Sequence, residues 1–114
     1  MQNPIEREST KHWAQLIDLT HRINKALEIS PDFAVAYLSR GIVYGDKGNY
    51  DKAISDCSKA LEINPYDPLA YLSRGMSYES KGRVDQAFSD YNLALGLNPD
   101  FAEALNHIGN SHYI

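Results

Sequence analysis

From residue 34 onward, apolar and polar positions recur with a helical period. Tyr37, Gly41 and Tyr44 fall on one face of a first stretch, and Ala53, Cys57 and Ala60 fall on one face of a second. Between the stretches lies Asp46-Lys47-Gly48-Asn49, where glycine can close one helix in the left-handed conformation before the next begins. Asn64-Pro65 stops the second stretch, because proline disfavours helix at the residue before it and has no N–H to donate. Ser80-Lys81-Gly82-Arg83 and Asn98-Pro99 repeat both signals. The pattern predicts helix, tight turn, helix, twice over, and connections this short force successive helices to run antiparallel.

The two units are copies. AYLSRG occupies Ala36 to Gly41 and again Ala70 to Gly75, and an ungapped alignment of Ala34–Asp67 with Pro68–Phe101 gives 17 identities in 34 positions. One hairpin of this length cannot bury both its apolar faces, so neighbouring units must stack. Tyr37-x2-Arg40-Gly41-x2-Tyr44, followed by Ala53-x3-Cys57-x2-Ala60-x4-Pro65, resembles the tetratricopeptide repeat in motif and in its 34-residue period, with Tyr91 standing for Cys57 in the second copy. Gly109 continues the register of Gly41 and Gly75. The resemblance implies an all-α, right-handed solenoid of stacked antiparallel hairpins.

The expected organisation is a single array over residues 1–114, with repeats at 34–67 and 68–101. Residues 9–31 read as a degenerate half-repeat or cap, since Leu16, Ile23, Ala26, Leu27, Ile29 and Pro31 match a second helix. Leu19 departs from the small class of Ala53 and Ala87, and Trp13 is placed to cover surface that a missing first helix would have covered. Residues 102–114 read as the first helix of a further repeat or a capping helix. Trp13, Leu19 and the face around Gly109 are therefore candidates for self-association, giving a homo-oligomer.

Composition narrows the function. A formal charge of -4 and a pI near 5.4 lack the basic footprint that neutralises phosphates, so nucleic acid is not expected as a partner. No run approaches the roughly 18 apolar residues of a membrane span, so no membrane insertion is expected and the chain reads as soluble and cytoplasmic. Cys57 is the single cysteine, which excludes an internal disulfide and the usual cysteine zinc site. His12, His21, His107 and His112 include no pair three or four apart, the spacing of a helical metal site. With no nucleophile triad and no phosphate loop, neither catalytic residues nor cofactors nor metals are expected.

In the tetratricopeptide family the first helices line a concave groove, and the resemblance carries that role to the face opposite Tyr37-Gly41-Tyr44. In the first unit this face holds Val35, Leu38, Ser39, Ile42 and Asp46; in the second, Leu69, Leu72, Ser73, Met76, Glu79 and Ser80. Glu103, Asn106, His107 and Asn110 extend it. Apolar residues on both faces of a helix mean that both faces meet something, either the next repeat or a ligand. The family's chaperone-tail clamp would fall on Leu38, Ile42, Ser73, Glu103 and His107, none of them lysine, arginine or asparagine, so capture of an acidic tail is disfavoured. The expected function is noncatalytic: a scaffold or adaptor that binds a peptide or partner segment. Self-association and service as the targeting domain of a longer protein are the alternatives.

Arg40 and Arg74 replace an apolar residue of the family pattern, and Asp56 and Asp90 recur with them, which predicts structural ion pairs between helices. The small residues Gly41, Ala53 and Ala60 let the helices of a hairpin approach closely. Gly41→Leu is expected to overpack that contact and lower the unfolding free energy by about 1–3 kcal/mol or more, read from urea denaturation.

Overall fold

The computed structural model describes Leu19, residues 21–30 and residues 32–101. Helix α1 covers residues 21–29; it is followed by α2 (Ala34–Asp46), α3 (Tyr50–Ile63), α4 (Pro68–Ser80) and α5 (Val84–Leu97), with no strand among the described residues. Helix α2 packs on α3, α3 on α4, and α4 on α5, while α2 also touches α4. Two hairpins thus lie side by side with their first helices adjacent, an all-α solenoid.

The turn chemistry follows the predicted logic. Gly48 and Gly82 both have φ +80°, the left-handed region that glycine enters without a Cβ penalty. Asn64 and Asn98 end α3 and α5 in extended conformation. Each then turns its side-chain oxygen onto a backbone N–H two residues on, at 3.2 Å to Tyr66 and 3.2 Å to Asp100. Helix α4 starts with Pro68 at its first position and Asp67 as its cap, whose carboxylate accepts from the Leu69 N–H at 3.0 Å.

The core forms where the helices come closest. Cys57, Ala60, Leu61, Leu38 and Ala70 make one buried cluster, and Leu72, Ala87, Tyr91 and Ala94 a second. A Cβ on Gly41 would lie 2.9 Å from the Cys57 sulfur and 3.2 Å from the Ala53 carbonyl. On Gly75 it would lie 2.6 Å from the Tyr91 ring and 3.2 Å from the Ala87 carbonyl. Neither position has room for a side chain, because backbone stands behind each side-chain obstacle.

One residue before each glycine, an arginine ties three helices together. The Arg40 guanidinium donates to both carboxylate oxygens of Asp56 on α3, at 2.7 and 2.8 Å, and to the side-chain oxygen of Asn24 on α1 at 2.9 Å. Arg74 repeats the arrangement with Asp90 on α5, at 2.8 and 2.7 Å, and Ser58 on α3 at 3.3 Å. Tyrosine rings flank each cation, Tyr37 and Tyr44 at 5.6 and 5.9 Å from Arg40, Tyr71 and Tyr78 at 5.7 and 5.9 Å from Arg74. The two-pronged hydrogen bond to its aspartate holds each guanidinium above its ordinary pKa.

Asp90 has only 4% of its side chain exposed, so removing its partner leaves a buried charge. Arg74→Ala is expected to lower the unfolding free energy by about 3–5 kcal/mol, and Arg74→Leu combined with Asp90→Leu to restore most of it, both read from chemical denaturation. A second expectation concerns pH. Burial pushes the Cys57 thiol from 9.0 up to about 12. Below pH 9.0 the thiol is neutral in both states; above it only the unfolded chain ionises, so stability contributed by the thiol declines from pH 9.0 until about 12. Unfolding free energies measured at pH 9 and 10 should fall in the parent chain and fall less steeply in Cys57→Ala.

Candidate functional site

The C-terminal halves of α2 and α4 diverge enough to leave a cleft of about 180 Å³. Gly41, Ile42, Gly45 and Asp46 form one wall, Ser73, Met76, Ser77 and Ser80 the other, and Tyr50 at the start of α3 closes one end. An apolar cavity of roughly 150 Å³ holds a benzene molecule, so this cleft is sized for one large side chain rather than a turn of helix.

One local difference between the two repeats falls on this cleft. Position 45 is glycine, with the Ser77 hydroxyl and the Ala53 methyl the nearest groups to where a Cβ would stand. The equivalent position in the second repeat is Glu79, whose carboxylate accepts a hydrogen bond from the Tyr91 hydroxyl at 2.5 Å. Burial, reinforced by that carboxylate, drives the Tyr91 pKa upward, so the phenol stays a donor. The second repeat thus joins α4 to α5 through Glu79 and Tyr91, a link that Gly45 and Cys57 do not make in the first.

Of the residues expected on the groove, Ile42, Asp46, Ser73, Met76 and Ser80 meet in this cleft. Val35 and Leu69, 60% and 40% exposed, lie near the starts of the same two helices, and Ser39 and Glu79 are half-buried. Leu38 and Leu72 correct the expectation: both are buried, Leu38 against Cys57, Leu61 and Ala70, and Leu72 in the cluster of Ala87, Tyr91 and Ala94. Their side chains fill the layer between helices, where leucine's bulk is enclosed on all sides, so they are core rather than groove. Glu103, Asn106, His107 and Asn110 lie outside the described residues, as do Trp13 and Gly109; Leu19 is 44% exposed.

Sequence reading missed Gly41, Gly45, Tyr50 and Ser77 as lining residues. The signal for Gly45 was its mismatch with Glu79 across otherwise similar copies. Asn24 and Ser58 were also missed as arginine partners, although they stand 34 residues apart and 16 before their arginines, mirroring the aspartates 16 after.

Charge around the cleft is one-sided. Asp46 and Glu79 lie in the last turns of α2 and α4, and neither turn contains a basic residue. Lys81, just beyond α4, is paired with Asp51, which holds the Asp51 carboxyl below its usual range. Among the described residues, no group of histidine, cysteine and acidic side chains is arranged to hold a metal ion, and no helix is long and apolar enough to cross a membrane.

Comparison with known proteins agrees with this architecture. Tetratricopeptide-repeat family models match residues 34–67 and 57–88. No curated protein sequence matches the chain. Among solved structures, the tetratricopeptide domain of Arabidopsis OM64 superposes with a TM-score of 0.84 at 24% identity, over 91% of this chain and 86% of that one. The first such domain of Spaghetti (RPAP3), bound to the HSP90 peptide SRMEEVD, gives 0.84 at 24% identity, over 94% and 86%. A thermophilic tetratricopeptide protein of Thermus thermophilus, TTC0263, gives 0.79 at 27% identity, over 95% of this chain and 54% of that one. With its 34-residue repeat, its glycine contacts and its hairpin stack, the chain has the tetratricopeptide fold and carries tetratricopeptide repeats over residues 34–88.

Proposed function

We propose that this chain is a noncatalytic scaffold or adaptor that binds an extended or helical segment of a partner protein along the face shared by α2 and α4. The observation that carries the reading is the cleft itself. It is open to solvent, floored by Ile42 and Met76, and flanked on the same helices by exposed Val35 and Leu69. Apolar anchors entering such pockets are how peptide grooves obtain affinity, and methionine adapts its shape to irregular ligands. The family supports the same reading, since its modules act in protein interaction and the RPAP3 domain holds a peptide.

The proposed ligand differs from the acidic SRMEEVD of that neighbour. Of the positions corresponding to a basic clamp, Leu38 is buried, Ile42 is apolar and Ser73 is neutral, and the cleft's charged lining residue is the acid Asp46. A segment with apolar anchors and some basic character is the chemical complement. A cytoplasmic setting is part of this proposal.

Met76 is 40% exposed, so its replacement should not disturb the core. Peptides selected on the parent chain from a displayed random library should lose at least tenfold in affinity for Met76→Glu, a change of about 1.4 kcal/mol or more, while its circular dichroism and melting stay unchanged. Undiminished binding would move the contact surface away from the cleft and overturn the proposal.

A further inference from the structure

We infer that the cleft between α2 and α4 receives a lysine or arginine side chain of the bound segment, with the aliphatic stem on Ile42 and Met76 and the cation at Asp46. This subsite presupposes the peptide-binding function proposed for the same face.

Three independent features converge on a cation. The Asp46 carboxylate lines the cleft and has no hydrogen-bond or ion-pair partner among the described residues. Second, the cleft lies between the C-terminal turns of two helices, where the macrodipole is negative even though the last carbonyls of both accept from turn N–H groups of residues 47–49 and 81–83. No basic side chain occupies either last turn, and the lysines that follow are not free cations: Lys81 is engaged with Asp51, and Lys47 also has a partner. Third, the polar lining other than Asp46 includes the hydroxyl side chains of Ser73, Ser77 and Ser80, whose oxygens can accept from an ammonium or guanidinium.

The remaining lining decides which cation. A bare inorganic ion would leave Ile42 and Met76 unused and would find only one carboxylate. A lysine or arginine side chain carries an apolar stem below its charge and matches both parts of the cleft. The roughly single-side-chain volume fits one such residue, and an acidic side chain would meet Asp46 and two helix C-termini of its own sign.

The test uses the whole chain and random dodecapeptides displayed on phage, panned in parallel on the parent protein and on Asp46→Asn. Asp46 is exposed, so the substitution removes charge without touching the core. Parent-selected peptides should share a lysine or arginine next to apolar residues. Replacing that residue by norleucine, which keeps the stem and removes the charge, should weaken binding about tenfold to the parent and leave binding to Asp46→Asn unchanged. Selected peptides lacking a shared basic residue would overturn the subsite while leaving peptide binding intact. A norleucine effect equal in the parent and in Asp46→Asn would do the same. Failure to enrich any peptide would remove both the subsite and the groove function on which it depends.

Discussion

A guanidinium held mostly between helices must find acceptors for the N–H groups turned away from water, and the stack is arranged around that requirement. Arg40 and Arg74 each donate two N–H groups to the aspartate of their own hairpin and a third to the helix before it in the chain, α1 or α3. Sliding one helix by a single residue would break every one of these bonds, whereas leucines tolerate such a slip. The pairs therefore serve register more than net stability, since desolvating both charges offsets much of their attraction.

Gly41 and Gly75 make those bonds possible. Without a Cβ at Gly41, the backbone of α2 comes close enough to the Asp56 Cβ, 3.3 Å from the position a methyl would take, for Arg40 to grip the carboxylate with both prongs. Close approach and charge pairing thus form one device, which explains why Arg-Gly appears as a unit inside the repeated hexapeptide. The tyrosines three before and four after each arginine complete it by lying over the cation on the same helix.

Much of this was legible in the chain because it is periodic. Residues 34 apart must solve the same packing problem, so Gly48 with Gly82, Asn64 with Asn98 and Asp56 with Asp90 each expose a shared geometric demand. The reading went astray at Leu38 and Leu72 for a physical reason. A helix in a stacked array touches its hairpin partner on one side and the next unit on another, and helical periodicity alone does not tell the second contact from an open face. The cleft was only half legible, since Ile42 and Met76 announce an apolar surface, whereas Gly45, which lines it without a side chain, announces nothing by its own chemistry.

Glu79 and Tyr91 are bonded across the second hairpin, while the first holds Gly45 and Cys57 at the same two positions, so each hairpin carries its own combination. Copying either hairpin whole carries both members of its pair, and the duplicate is born self-consistent. An exchange of sequence between the copies that falls between these positions would instead join Glu to Cys, leaving a carboxylate without its phenol, or Gly to Tyr, leaving a buried hydroxyl without its acceptor. Recombination in an array built this way is favoured at the Asn-Pro boundaries between hairpins and penalised within them, so its length can change more readily than its parts can mix.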